Sequence, residues 1–142
     1  MNKPTLWKVF RGDYVVGNGL PFVIIVTGLG IYFIVDSSID IVAAYISFGL
    51  AALFLITTII RIKKIYNLFA TGIELKATVI NMWHYRSSAR IVTTYQYDTQ
   101  DIKGTYNAHR STYTKSLSLG ANVKVLINPN KPNKCIVKDV FN

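Results

Sequence analysis

The sequence predicts a membrane α + β protein, an antiparallel two-helix transmembrane hairpin followed by a small five-stranded antiparallel β-barrel or sandwich of OB-like kind. Three observations predict it. Two apolar runs, residues 15–35 and 41–60, are separated only by Asp36-Ser37-Ser38-Ile39-Asp40. Basic residues crowd both flanks of this pair, and no Lys or Arg occurs between Arg11 and Arg61. From Ile73 onward the apolar period changes from that of a helix to that of a strand.

The first 14 residues mix Lys3, Lys8 and Arg11 with Leu6, Trp7, Phe10 and Tyr14 at spacings near one helical face. Pro4 and Thr5 suit the start of a short helix. Such a segment is expected to lie in the membrane interface, with Trp7, Lys8 and Arg11 at the lipid surface. The alternative is a plain tail that ends in an aromatic belt.

Residues 41–60 carry no charge and extend about 30 Å as a helix, the thickness of a bilayer's hydrocarbon core. Eleven of them are Leu, Ile, Phe or Val, and each favours insertion by roughly 0.3–0.6 kcal/mol near the centre of the span. In the first run Gly17, Asn18, Gly19 and Pro21 defer the expected start of regular helix to Leu20. Two adjacent spans of this length exceed what a soluble core drawn from 142 residues buries. A signal peptide does not fit either, because no small-residue cleavage site follows the first run. The five-residue loop, 36–40, makes the helices antiparallel neighbours. Its Asp36 and Asp40 contrast with Lys3, Lys8, Arg11, Arg61, Lys63 and Lys64 outside the pair, so the positive-inside rule puts both termini in the cytoplasm and the loop outside. The second helix bears Ala43, Ser47 and Ala51 at intervals of four, a small-residue stripe along which another backbone packs closely. That stripe serves either the hairpin's own packing or an interface with a larger membrane complex or second copy. Neither span holds an ionisable residue, which argues against a proton path or transport site.

Residues 61–71 keep helical spacing as an extension or linker, and Gly72 suits its C-cap. The domain 72–142 reads as strands: Ile73, Leu75, Ala77 and Val79 alternate with Glu74, Lys76, Thr78 and Ile80, and Ile91 to Asp98 form a second. A turn over 98–101 joins it to a third, 102–108. Val123, Val125 and Ile127 mark a fourth strand, the turn formers of 128–133 follow, and 135–140 is the fifth. Closure into a barrel protects edges that a five-strand sheet exposes. One cysteine, Cys135, excludes an internal disulfide and fits a reducing compartment.

Gly72-x4-Ala77-x-Val79, Tyr95-x-Tyr97, Gly104-x-Tyr106, Leu119-Gly120-x2-Val123-x-Val125 and Asn128-Pro129-x2-Pro132 resemble a bacterial family of two-span proteins with a cytoplasmic β-domain of unknown function. The architecture is also similar to short NfeD-type proteins. The resemblance implies a bacterial inner-membrane location and a tethered role, and it carries over no catalytic residue. Where the family usually has Asp before the first Pro, this chain has Asn128, which removes a carboxylate that a capping or ligand role there would use.

The chemistry-bearing residues form no constellation. His84, His109 and Cys135 stand on separate strands without metal-ligand spacing. No Ser or Thr stands in a nucleophile elbow, and Gly104 and Gly120 are isolated, so no catalytic, metal or cofactor site is expected. The domain from Gly72 carries ten Lys or Arg against four Asp or Glu, an attraction to anionic headgroups of the bilayer. Nucleic-acid binding is disfavoured, because Tyr95, Tyr97 and Tyr106 share the parity of Ile91 and Ile102 and so face the core. The segment 108–118, with Arg110, Tyr113 and Lys115, is a candidate protein-binding loop, although a solvated connection has the same composition. The expectation is a non-enzymatic adaptor or accessory subunit, docked on a protein partner or forming a homo-oligomer in the membrane. The alternative is an immunity or defence protein that blocks a membrane-acting toxin.

Overall fold

The computed structural model describes residues 3–36 and 41–141. Their elements in order are α1 (Leu6–Gly12), α2 (Tyr14–Val35), α3 (Ile41–Thr71), β1 (Ile73–Tyr85), β2 (Ser88–Tyr97), β3 (Gln100–His109), α4 (Thr112–Ser116), β4 (Asn122–Asn128), β5 (Lys131–Val137) and a closing 3-10 helix, Lys138–Phe141. They form two compact units, Val15–Ile62 on the one hand and Met1–Tyr14 with Lys63–Asn142 on the other.

The first unit is a helical hairpin. Both helices are long and apolar enough to cross a membrane, and only 17% of the most apolar stretch of α2 and 22% of that of α3 is buried. The core helix of a soluble protein is covered on its apolar side, whereas here Ile24, Ile31, Ile46, Leu53 and Ile56 are all exposed. A bilayer is the solvent that such a surface suits. The helices meet through pairs that advance along one and retreat along the other. Gly19 faces Thr58, the rings of Phe22 and Phe54 lie 4.4 Å apart, and Gly30 faces the ring of Phe48. Helix α2 starts at Tyr14 and not at Leu20 as the sequence leads one to expect. Gly19 shows why: a Cβ there would stand 2.3 Å from Thr58 Oγ1, so helical packing at a bare backbone overrides weak propensity. Of the expected outer loop, 37–40 lie outside the described residues, while Asp36 accepts a hydrogen bond from the Tyr32 hydroxyl at 3.0 Å.

The second unit is built on one antiparallel sheet in the order β3-β2-β1-β4-β5. Strand β3 also lies against β5, so the sheet curls into a nearly closed, OB-like barrel. Its interior comes from alternate residues, among them Ala77, Val79, Ile91, Tyr95, Tyr106, Val123, Val125 and Cys135, all buried. Closure depends on Gly104 of β3. A Cβ on it would stand 2.4 Å from Cys135 Sγ on β5 and 2.8 Å from the Tyr95 ring on β2, so only glycine lets these three strands converge. The Tyr95 hydroxyl donates to the Pro132 carbonyl oxygen and thereby ties β2 to β5.

Several boundaries differ from the sequence expectation. Strand β1 runs past Ile80 to Tyr85 through a bulge between Val79 and Asn81. Arg86 and Ser87 alone make the turn to β2, with Arg86 at φ +45°. The turn before β3 is likewise tight, with Asp98 and Thr99 both at positive φ, the twist that two-residue hairpins require. Strand β5 starts at Lys131 and ends at Val137, and the expected strand residues beyond it form the 3-10 helix.

An outer layer covers part of the barrel. Ile65 and Phe69 from the end of α3, Val9 of α1, and Val140 and Phe141 are buried, and the rings of Phe69 and Phe141 meet edge to face at 5.6 Å. The N-terminal segment 1–14, read from the sequence as a separate interfacial piece, thus contributes to the same unit as the barrel. Thr5 caps α1 by accepting from the Lys8 amide at 3.4 Å. Asp13, fully buried, makes a single β-bridge to Ala108 at the end of β3. The Tyr106 hydroxyl reaches Asp13 Oδ2 at 3.1 Å and the Gly12 carbonyl oxygen at 3.2 Å.

Candidate functional site

The sequence singles out three groups of residues: the stripe of α3 with the basic residues that follow it, the segment 108–118, and α1. On α3, Ser47 and Ala51 are buried within the hairpin and Ala43 is half-buried. The Ser47 hydroxyl turns back to the Ala43 carbonyl oxygen at 2.9 Å. Ser47 and Ala51 therefore serve the packing of α3 on its own hairpin, at the level of buried Val26 and Gly30 of α2. Lys63 and Lys64 are exposed on the same helix and Arg61 is partly covered.

The segment 108–118 is not a plain loop, because its centre folds as α4. Ser111 and Thr114 form a reciprocal capping box, Thr114 is fully buried, and the Thr114 carbonyl oxygen lies 3.1 Å from His84 Nε2 on β1. This holds Arg110, Tyr113 and Lys115 on a fixed framework. Arg110 binds the β1–β2 turn, its amide donating to the Ser87 carbonyl oxygen at 2.8 Å and its Nη1 to that of Arg86 at 3.3 Å. Tyr113 is half-buried, and burial, with Asp139 nearby, pushes its phenol up to about 12. Lys115 is exposed.

The third group lies on α1, where Trp7 stacks on Phe10 at 5.4 Å and the Arg11 guanidinium sits 4.9 Å from the Trp7 ring centroid. Trp7, Lys8 and Arg11 all face outward. A groove runs from Trp7, Phe10 and Arg11 to His109, Arg110, Ser111 and Thr112.

Beside these, the structure displays residues that sequence reasoning missed. Trp83 and Tyr85 of β1 are exposed, with the Arg90 guanidinium 5.8 Å from the Trp83 ring and that of Arg86 5.4 Å from the Tyr85 ring. A groove of about 460 Å3 is lined by Tyr14, Trp83, Tyr85, Ser88, Arg90 and Asn107. The bulge explains the oversight. In an unbroken two-residue period Trp83 and Tyr85 share the inward parity of Ala77 and Val79, but beyond the bulge Met82 pairs with buried Ile91 and Trp83 with exposed Arg90. A Trp and a Tyr flanked by two Arg residues were the available signal.

Burial pushes the Cys135 thiol up, opposed in part by contacts with Thr93 and Tyr95, and burial likewise raises the Tyr95 phenol. Both groups stay protonated in the neutral range, as inner packing residues. Among the described residues no three His, Cys, Asp or Glu side chains gather as a metal ion would need. Every buried side-chain nitrogen or oxygen described has a hydrogen-bond partner.

No family model, curated protein or solved structure matches this chain. The likeness to two-span proteins with a β-domain is therefore one of architecture: two long apolar helices followed by a five-stranded antiparallel near-barrel.

Proposed function

We propose that the protein is a non-enzymatic, membrane-anchored adaptor or accessory subunit of the bacterial inner membrane, with both termini in the cytoplasm. Its hairpin holds the barrel at the bilayer, and the surface around α4 docks a cytoplasmic part of a larger assembly, in an architecture similar to that of the short NfeD-type proteins. The observation that carries this reading is the build of residues 108–118. A connection needed only for chain reversal does not require a capping box, a buried Thr114 and a link to His84. These hold Arg110 and Lys115 outward on a pre-ordered surface, which lowers the ordering cost of recognition.

Two further features support the arrangement. The segments before the first long helix and after the second build one compact unit, which supports a common side of the membrane for both. The positive-inside rule then names that side as the cytoplasm. Because Ser47 and Ala51 are committed to the hairpin, the reading places the protein contact on the β-unit and not on the small-residue stripe.

Crosslinking in native membranes followed by mass spectrometry tests it. The expected result is a partner crosslinked to 110–118 that is lost in an Arg110→Glu/Lys115→Glu variant. Recovery of only monomer, or of the same crosslinks from the variant, would count against it.

A further inference from the structure

We propose that the β1–β2 hairpin tip is a second membrane contact, an aromatic and arginine-rich surface that seats the β-unit on anionic lipid headgroups. The proposal rests on reading the two long helices as spans, and it does not depend on the adaptor role.

Four observations point to a bilayer as the occupant. The tip presents Trp83 and Tyr85 outward, and these two residue types prefer the boundary between headgroup and acyl chain, where an apolar ring and a polar edge are both satisfied. Each ring is paired with a guanidinium, Arg90 with Trp83 and Arg86 with Tyr85, so cation and aromatic face are offered together. Arginine's planar fork suits bidentate hydrogen bonds to phosphate. Next, the charge at this end has one sign: no acidic side chain lines the groove of Trp83 and Arg90 or that of Trp7 and Arg11, among the described residues. The two grooves adjoin through Arg110, which lines the second and binds the turn at Arg86 and Ser87.

The third observation is continuity. Tyr14 lines the same groove as Trp83, Tyr85 and Arg90, and the next residue, Val15, opens the first apolar helical unit. The patch thus includes the last residue of the β-unit before the chain enters the apolar helix. Finally, Arg86 occupies a left-handed position at φ +45°, which Gly or Asn takes with less strain. An arginine at the foremost residue of the hairpin fits a requirement for charge there.

The chain's own tryptophans supply the test, because Trp7 and Trp83 are the only two. A Trp7→Phe variant of the full chain, reconstituted in lipid nanodiscs, makes Trp83 the sole indole. Its fluorescence is read against a lipid that carries a shallow spin-label quencher and against acrylamide in the water, in discs of phosphatidylcholine alone and with phosphatidylglycerol. The expected result is strong quenching by the labelled lipid and weak quenching by acrylamide when phosphatidylglycerol is present. Arg86→Glu/Arg90→Glu should abolish the lipid quenching, whereas Arg86→Lys/Arg90→Lys should retain most of it, and circular dichroism checks that both fold. Free access of acrylamide with no lipid quenching in either disc overturns the proposal. So does protection of Trp83 that appears only on adding a single-stranded oligonucleotide, which would assign the patch to nucleic acid. Resistance of the protein to alkaline extraction is read in parallel: an extracted chain overturns the span reading and this proposal with it, whereas an embedded chain with a solvated Trp83 overturns the lipid contact alone.

Discussion

Gly104 shows how a single missing side chain decides whether five strands close. Its absent Cβ leaves room for Cys135 Sγ and the Tyr95 ring, at 2.4 and 2.8 Å from the point a methyl group would occupy. Gly104→Ala is expected to cost about 1–3 kcal/mol, the usual price of overpacking a core. Adding Cys135→Ala should recover part of that loss, a coupling that denaturant melts of the single and double variants will measure. Closure also sets a pH dependence. The folded Cys135 and Tyr95 titrate above their ordinary values of 9.0 and 10.0 because burial disfavours their charged forms. A raised folded pKa gives stability that is complete below the ordinary value and is lost as pH rises through the folded one. Denaturant midpoints should therefore hold to about pH 8 and fall toward about pH 11, with a shallower fall in Cys135→Ala. Sequence parity placed Tyr95, Tyr97 and Tyr106 in the core; the structure buries Tyr95 and Tyr106 and leaves Tyr97 half-buried. The partner of Gly104 was not legible, since a glycine names no neighbour until the barrel has closed.

At the scale of elements, the hairpin rests on contacts as close as those of the barrel. Replacing Gly19 by Ala gains about 0.5–1 kcal/mol in helix propensity. The same methyl group meets Thr58 Oγ1 at 2.3 Å, and that hydroxyl is held by the Phe54 carbonyl oxygen at 2.8 Å. Overpacking of roughly 1–3 kcal/mol exceeds the gain, so Gly19→Ala should weaken the hairpin and Thr58→Ala should restore it. Unfolding of the reconstituted protein in increasing dodecyl sulfate, followed by circular dichroism, measures both. The two long apolar helices and the barrel strands were legible because length without charge and a period of two are properties of neighbouring residues. The bulge at Ile80 and helix α4 were not. A bulge is set by pairing with Val92 and Thr93 on β2, and α4, at five residues, is stabilised by its Ser111–Thr114 cap and buried Thr114 more than by its own period.

For the molecule as a whole, the division of the chain departs most from its linear order. The β-unit takes Val9 and Asp13 from one end and the strands from the other, joined by the Tyr106 hydroxyl. Fragment 63–142 should therefore be less stable than the same fragment fused through a flexible linker to 1–14. Tyr106→Phe should cost about 1–3 kcal/mol, because it leaves a buried Asp13 with a lost donor. Denaturant melts measure the first, and hydrogen exchange at 5–13 in the full-length variant locates the second. Composition exposed the charge and aromaticity of 1–14, which fit a membrane surface. It did not expose the burial of Val9, because the partners of that residue lie beyond the hairpin.

The bond between Asp13 and Tyr106 closes a loop of more than ninety residues, and it has a consequence for biogenesis. Closing so long a loop in a free chain is entropically costly and slow. The helical hairpin, Val15–Ile62, takes up about half of it, and in the proposed two-span arrangement it brings the chain back to the side from which it started. That proposed arrangement predicts an order of synthesis: residues 1–14 emerge before the hairpin, the hairpin inserts, and the barrel strands that follow capture them. A nascent chain whose hairpin fails to insert is left with a barrel short of its N-terminal cover and with apolar surface exposed, the kind of species that quality-control proteases remove.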